Sequence, residues 1–390
     1  MHPMSRSLAA GLSGALLAVI LLTPRPAHAY AWMIRHGFSG CAQCHFDPSG
    51  GGLLNEFGLG AASDLLRSHY GTEPADAQPF FGFFTPPSWL LAGGSFRDML
   101  LVMKPDGAGW SRQNVLMQAD LRAGVDVGHF RAAGSLGFIT NGNSPAAVVG
   151  NLVAREYWAG WAFADDAVLL RAGRITLPSG VRSIEHTLFV RQATRTDLND
   201  TQQHGVAIAA RGHGFRGELM GIAGNYQMSP DAFRERGYAG YGEWSPTSRW
   251  AFGVSSKITH AADDVYLRAA TTRQAHGVIL RGSPLEALAI LGEADATITS
   301  VAGQSSWTGL ATMLQADVEP WQGLHLIGTG ETWATGQPNT AGTSWSGWAG
   351  VDWFFFTHVD ARFDYVHTSL VQGPMRFPVD SLLVQLHVFL

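Results

Sequence analysis

The residues after Pro87 form a series of short stretches in which apolar and polar side chains alternate. One stretch separates an apolar face from a polar face: Met117, Ala119, Leu121, Ala123 and Val125 alternate with Gln118, Asp120, Arg122 and Asp126. A later stretch repeats this, with Val359, Ala361, Phe363 and Tyr365 between His358, Asp360, Arg362 and Asp364. Period two is typical of a β-strand whose two faces meet different surroundings. The pattern predicts an all-β fold over residues 87–390.

A soluble antiparallel sandwich would show the same alternation, so the number and length of the runs decide between the two. About seventeen runs follow Pro87, with almost no helix signal among them. Their length suits transmembrane β-strands, which take about 9–11 residues. Mean hydropathy is +0.04 and charged residues make up 15% of the chain. These values fit a cylinder with an apolar outside and a wet inside, so we expect an antiparallel outer-membrane β-barrel.

Tryptophan supports this expectation, because twelve of the 13 tryptophans lie beyond Pro87. Several stand near predicted strand ends: Trp158, Trp161, Trp244, Trp250, Trp307, Trp321 and Trp333. Transmembrane barrels carry aromatic girdles at both membrane interfaces. We therefore expect these side chains to face outward.

The connections between the runs set the strand count at sixteen. Bacterial barrels have even strand numbers, with short turns on one side of the membrane and longer loops on the other. The gaps near 141–153, 177–203, 225–236, 335–343 and 370–380 fall on one side only if one run between 248 and 299 is removed. Gly282-Ser283-Pro284 is the place we expect, because proline is poor in a strand interior.

The gap from Pro178 to Gln203 is the longest. It carries many charges: Arg182, Glu185, His186, Arg191, Arg195, Asp197 and Asp200. Long loops of this kind are either ordinary polar outer loops or segments that fold into the lumen. The inward-facing Asp120, Arg122, Asp360, Arg362 and Asp364 predict a lumen of mixed charge.

The first 29 residues are typical of a secretory signal peptide. Arg6 provides the positive region, residues 8–22 are apolar, and Ala27-His28-Ala29 forms a small-residue cleavage site. A membrane anchor is the alternative, but the apolar run is shorter than the about twenty residues that a helix needs to span a bilayer. We expect cleavage before Tyr30, leaving a segment 30–86 and a barrel 87–390.

Cys41-Ala42-Gln43-Cys44-His45 has the spacing that attaches a c-type haem. Each thiol would bond one vinyl group, and the imidazole of His45 would become the proximal iron ligand. The chain has 2 cysteines in all, both in this motif. A redox-active Cys-x-x-Cys pair would be expected within a βαβ pattern, and a zinc site would need a second pair of ligands nearby. The sequence shows neither. We predict one covalent haem c.

The residues around the motif suggest how segment 30–86 could hold a haem. Pro48-Ser49-Gly50-Gly51-Gly52 would let the backbone approach the porphyrin closely. Candidates for the sixth iron ligand are Met33, His36 and His69, with Met99 and Met103 further along, and an open sixth position is the other alternative.

The residues Arg35 to His45 resemble the opening of the fused monohaem cytochrome–porins, and Leu54-Asn55-Glu56-Phe57-Gly58 is similar to a stretch that follows their haem motif. The resemblance covers about 25 residues. The chain departs from the family in its glycine run, in Leu59 and in its ending on Phe389-Leu390. The resemblance implies a short haem segment before a barrel of about sixteen strands, with Cys41, Cys44 and His45 binding the haem. The family includes outer-membrane iron oxidases.

Three functions follow as hypotheses. The first is electron transfer across the outer membrane between an extracellular donor or acceptor, Fe(II) among them, and a periplasmic c-type cytochrome or other soluble redox carrier. The second is a diffusion porin whose haem segment lies in the periplasm. The third is a haem enzyme, such as a peroxidase, with an open sixth site. A net charge of −5 with no basic run argues against a nucleic-acid partner.

Overall fold

The computed structural model describes residues 30–61, 65–68, 83, 86–139, 147–183, 185, 187–196, 201–340 and 342–389. The predicted signal peptide therefore lies outside the described residues. The strands are β1 Leu90–Pro105, β2 Ser111–Val127, β3 Phe130–Phe138, β4 Ala147–Val149, β5 Leu152–Val153, β6 Tyr157–Phe163, β7 Val168–Ile175, β8 Gln203–Gly212, β9 Phe215–Gly224, β10 Arg236–Thr247, β11 Trp250–Ala261, β12 Thr271–Leu285, β13 Leu288–Val301, β14 Trp307–Trp321, β15 Leu324–Ala334, β16 Ser344–Phe356, β17 Val359–Gln372 and β18 Met375–Phe389.

These strands form a closed antiparallel barrel, since β1 pairs with β2 on one side and with β18 on the other. The wall contains sixteen strands. Both β5 and β6 pair with β3, so together they make one interrupted wall strand. The short β4 pairs with β5 and adds a small hairpin. The prediction of a sixteen-stranded barrel is confirmed.

The alternation of side chains explains why the chain closes in this way. In β2, Gln118 and Asp120 are buried on the inside, whereas Leu121 is 69% exposed on the outside. In β17, Arg362 and Asp364 are buried and Phe363 is exposed. Since successive side chains of a strand point to opposite faces, β2 and β17 present these polar groups inward and these apolar groups outward.

The two rims of the barrel differ in their connections. We call one the tight-turn rim: its connections are residues 128–129, 164–167, 213–214, 248–249, 286–287, 322–323 and 357–358. Leu90 and Phe389 also lie at this rim. The opposite, long-loop rim carries the connections 139–151, 176–202, 225–235 and 335–343.

Two predicted details of the connections can be compared with the structure. As expected, Gly282-Ser283-Pro284 forms no strand of its own: these residues lie at the end of β12, where the register with β13 shifts between Gly282 and Leu285. The predicted gap at 370–380 is wrong. Strands β17 and β18 stay paired up to Gln372 and Met375, since Gly373 takes a φ of 59° that allows a two-residue turn.

The tryptophan prediction holds in part. Trp161, Trp244 and Trp321 are exposed on the outer surface, at 48%, 47% and 69%. Trp158 is buried at 4%, and Trp333 packs against the helix of an inward loop. Proximity to a strand end does not determine which face of the strand a residue occupies.

The N-terminal segment, residues 30–68 where described, lies inside the barrel. It contains 3-10 turns at Ala31–His36 and Cys41–Gln43 and an α-helix at Glu56–Ala61. Its apolar side chains pack on the inner wall of the barrel: Trp32, Met33, Ile34, Phe38 and Leu66 cluster with Ala251, Ala289, Phe354 and Phe389. Within the described part of the chain, no helix has the length and apolar character needed to cross a membrane.

The long connection between β7 and β8 also folds into the lumen where it is described, at residues 176–183, 185, 187–196 and 201–202, and we call these residues the lumen loop. Its helix Phe189–Thr194 is buried on one face. Val181, Leu188 and Val190 pack against inward-facing apolar residues of β12–β14, namely Ile279, Leu291, Ala311 and Met313. Of the two alternatives for this loop, the structure shows the lumen-folding one. Its buried apolar residues supply the reason, because an outer loop would leave them in water.

Candidate functional site

The N-terminal segment is attached to one side of the barrel by Arg35, which is fully buried. Its guanidinium bonds the Asp317 carboxylate and, at 3.2 Å, the Asp317 carbonyl of β14. It also lies 3.4 Å from the Glu319 carboxylate. Asp317 in turn contacts His325 at 3.0 Å, and the His325 ring lies 4.2 Å from that of Trp32. A buried charge needs such partners to offset its loss of hydration.

A second attachment lies across the lumen. The Asp47 carboxylate accepts a hydrogen bond of 3.0 Å from Arg171 of β7, and Arg171 also donates to Glu218 of β9 at 2.7 Å. Burial alone would raise the pKa of Asp47, but the charge and hydrogen bond of Arg171 outweigh it and lower that pKa. Wall strands β7 and β14 are far apart around the barrel, so the segment crosses the lumen between them.

The predicted haem motif lies between these attachments. Cys41–Gln43 forms a 3-10 turn, and the backbone N–H groups of Cys44 and His45 donate to the Cys41 carbonyl at 3.2 and 3.0 Å. Asn55 returns to the turn, since its side chain donates to the Gln43 carbonyl at 2.9 Å. Cys41 and Cys44 are buried, and no disulfide joins them. Burial, followed by the neighbouring Cys41, raises the pKa of the Cys44 thiol.

Two glycines allow the chain to pack against the motif. Gly50 has a φ of +92°, and a Cβ atom there would lie 2.9 Å from the Cys41 Cβ. A Cβ at Gly58 would lie 2.3 Å from the Cys44 carbonyl oxygen. The glycine run was expected to approach the porphyrin. In the structure the close approach of Gly50 is to Cys41, so the run holds the turn that bears the thiols.

A cavity of about 580 Å³ opens between the motif and the barrel wall at the tight-turn rim. Ala42, Gln43 and His45 line it from the N-terminal segment. The facing wall comes from the ends of β7–β10 and their turns: Asp165, Asp166, Arg211, His213, Arg216 and Tyr241. Its volume lies within the about 300–1,000 Å³ typical of small-molecule and cofactor pockets.

The residues present fit a c-type haem. His45 lines the cavity. Cys41 begins the adjoining one-turn helix and Cys44 directly follows that helix, both buried and without a disulfide between them. Phe46 and Leu169 add apolar lining to the cavity. This combination of imidazole, thiols and a partly apolar cavity is the donor set that covalent haem attachment requires.

The predicted sixth ligands do not meet at this cavity. Met33 is 1% exposed within the apolar cluster of Trp32 and Phe354. His36 lies 3.3 Å from the Glu319 carboxylate. His69 lies outside the described residues. Within the described residues, neither Met33 nor His36 lines the cavity.

The barrel contributes residues that the sequence did not single out, above all Arg211, His213 and Tyr241. They stand about 170–200 residues from the haem motif in the chain. In the sequence, Arg211 and His213 belong to a polar turn between two predicted strands. Many other turns of the chain are polar too, so this feature does not distinguish them.

Mixed charges line the lumen, as predicted. Asp120 pairs with Arg155, and lies 3.6 Å from Arg122. Arg362 bonds Asp364 and the lumen-loop Glu185, each at 2.8 Å. Asp360 bonds His387 at 2.8 Å, which extends this network to β18. The described residues contain no group of three or more His, Cys, Asp or Glu side chains positioned to hold a metal ion.

Comparison with known proteins identifies the barrel by its fold. No protein-family model matches the chain, and no curated protein matches its sequence. An anion-selective porin from Comamonas acidovorans matches with a TM-score of 0.60 and 11% identity, over 77% of this chain and 99% of that one. OmpT of Vibrio cholerae matches with a TM-score of 0.58 and 10% identity, over 77% of this chain and 99% of that one. The channel DcaP of Acinetobacter baumannii matches with a TM-score of 0.56 and 10% identity, over 79% of this chain and 99% of that one. The chain therefore has the porin-like fold of outer-membrane barrels.

Proposed function

We propose that this protein is an outer-membrane electron-transfer protein that carries one covalent haem c in its N-terminal segment. The observation that carries the proposal is the position of His45, which follows the two thiols and lines a cofactor-sized cavity inside a porin-like barrel. When bound, a haem supplies a one-electron redox centre whose potential depends on axial ligands, burial and nearby charge.

The compartment follows from the rim at which the cavity opens. In bacterial outer-membrane barrels the short turns face the periplasm and the longer loops face outward. The cavity lies at the tight-turn rim, with Asp165, Asp166 and Arg211 at its edge. A periplasmic c-type cytochrome or another soluble carrier is the partner that could reach this site. The extracellular donor or acceptor, Fe(II) among the candidates, would act from the long-loop rim.

The N-terminal segment and the lumen loop both occupy the barrel lumen that contains the cavity. Arg35 and Asp47 attach the N-terminal segment to β14 and β7, and the lumen loop packs on the wall above it. The apolar band of an outer-membrane barrel is about 25 Å tall. Electrons do not cross the lipid beside this band at a useful rate. A lumen occupied by packed protein provides a route for electrons and restricts the passage of solutes.

A diffusion porin remains the second candidate, and the comparisons favour it. The similar structures include an anion-selective porin and an outer-membrane channel, and both are similar over nearly their full length. The contacts of the N-terminal segment across the lumen argue for the first candidate. A haem enzyme with an open sixth site, such as a peroxidase, is the third. An iron:cytochrome oxidoreductase activity would instead be a form of the first candidate, with extracellular Fe(II) as the donor.

One experiment separates these candidates. The purified protein is stained for covalent haem after denaturation, and its reduced-minus-oxidised spectrum is recorded. It is then placed in liposomes with an outside donor and an enclosed acceptor. We expect pigment on the mature polypeptide and electron relay without swelling in small solutes. Swelling without relay supports the porin, and a polypeptide without pigment overturns the proposal.

A further inference from the structure

The cavity beside the haem motif has two walls of different origin. One wall is the N-terminal segment around His45, and the other is formed by the tight turns of the barrel. If a haem is attached through the first wall, the residues of the second wall are those of the barrel that could supply a further ligand to its iron.

His213 is the group on the second wall with iron chemistry. Among the described residues that line the cavity, the two imidazoles are those of His45 and His213, and methionine is absent from the lining. Imidazole and thioether are the usual partners of a proximal histidine in electron-transfer haems. Asp165, Asp166 and Tyr241 supply only oxygen donors, which suit harder ions better.

The turn that bears His213 is tied directly to the motif. Arg211 donates from Nη1 to the Ala42 carbonyl at 3.3 Å, which joins the end of β8 to the loop between the two thiols. On its other side, Ser245 donates its backbone N–H to the Gly214 carbonyl at 2.7 Å. One hydrogen bond thus links the turn of His213 to the haem motif, and a second links the turn to β10.

The backbone at His213 does not require a histidine. His213 and Gly214 form a two-residue turn with φ values of +51° and +79°. Such turns favour asparagine or glycine at the first position, because a side chain there is held in the left-handed region. The imidazole of His213 is exposed at the cavity edge. Its side chain is available to a ligand.

We propose that His213 supplies the sixth ligand of the haem iron whose proximal ligand is His45. The barrel wall then completes the coordination begun by the N-terminal segment. This inference rests on the proposed function, since it assumes the covalent haem. It replaces Met33, His36 and His69 as sixth ligand and closes the site that a haem enzyme would need open.

The test compares His213→Gly with His129→Ala in the full-length protein purified from outer membranes. Glycine suits the positive φ of position 213, so the first variant removes the imidazole without straining the turn. His129 lies in another two-residue turn of the same rim, between β2 and β3, and outside the cavity lining, so it is the matched control. Haem on the denatured polypeptide, the spin state and the redox midpoint are measured for each.

We expect wild type and His129→Ala to be low-spin with two imidazole ligands. His213→Gly should keep its covalent haem, lose the low-spin signal, and recover it on addition of free imidazole. An unchanged low-spin spectrum in His213→Gly overturns this assignment and leaves the proposed function intact. So does a wild-type spectrum that is high-spin or has a phenolate ligand. A wild-type polypeptide without haem overturns both.

Discussion

The N-terminal segment meets the barrel on two sides, and the two sides are built differently. On the anchor side, Arg35 is buried among Asp317, Glu319 and backbone carbonyls, and an apolar cluster around Phe354 fills the remaining space. On the cavity side, near β7–β10, the same segment leaves about 580 Å³ beside His45. Dense packing on one side and an open cavity on the other indicate separate roles. The contacts of Arg35 fix the segment on the anchor side, and the cavity side is where we propose that the haem is held.

The lumen loop touches both sides. Arg182 donates to the Ser49 hydroxyl at 2.7 Å next to the motif, whereas Glu185 bonds Arg362 on the opposite wall. It therefore couples the cavity side to the wall independently of Arg35. If the two sides are separable, substitutions on each should have distinct consequences.

The largest expected effect comes from Cys41→Ser or Cys44→Ser. Either change removes a thioether, so haem should be lost from the denatured polypeptide, and hydrogen exchange should rise around residues 41–54. We expect residues 31–36 to stay protected, because their contacts with β14 do not involve the haem. Barrel insertion should continue, as measured by heat-modifiable migration. A barrel that fails to insert contradicts the separation of segment and barrel.

Arg35→Ala should release the anchor side. Removing Arg35 takes the guanidinium partner from the buried Asp317 carboxylate, which keeps its 3.0 Å contact with His325, and breaking a buried ion pair in this way costs about 3–5 kcal/mol. Hydrogen exchange of residues 31–36 should therefore rise steeply. The control is Arg249→Ala, because Arg249 and Glu286 are exposed partners 3.5 Å apart. An exposed pair contributes about 0–1 kcal/mol, so exchange should hardly change. Equal effects of the two variants would show that Arg35 does not anchor the segment.

Gly50→Ala and Gly51→Ala form a matched pair on the cavity side. Both positions have a positive φ, of +92° and +83°, so each substitution costs about 1–2 kcal/mol of backbone strain. Only the Cβ at position 50 would also meet Cys41, whereas nothing lies within 4 Å at position 51. We expect Gly50→Ala to lower haem content and Gly51→Ala to lower it less. The same haem content in both would mean that the contact with Cys41 is unimportant.

The smallest effect is a pH dependence of the lumen loop. Burial alone would raise the pKa of Glu185, but the charge and hydrogen bond of Arg362 outweigh it and lower that pKa. A lowered folded pKa contributes stability above the unfolded value of about 4.3, and that stability is lost as pH falls through the folded pKa. Hydrogen exchange of residues 187–196 should rise in acid. In Glu185→Gln this rise should be reduced, and an unaltered pH profile would argue against the pairing.

Alternation along the chain determined the barrel and the inward position of residues such as Asp120 and Arg362, and the pattern of connections brought the strand count to sixteen. This works because a wall strand must satisfy lipid on one face and water or protein on the other, so its sequence carries period two. The period-two features could be predicted because each depends on neighbours in the sequence. The spacing of Cys41, Cys44 and His45 is local in the same way, and the covalent haem that it indicates stays a prediction.

Only the tertiary structure decided what fills the lumen and what faces the haem motif. The pairing of Arg35 with Asp317 joins residues 282 positions apart, and Arg211 reaches Ala42 over 169 positions. Period two assigns a residue to the inside but does not select its partner there. Charge alone likewise did not show that the lumen loop folds inward. These contacts arise when the wall closes and brings distant inward faces within a few ångströms of one another.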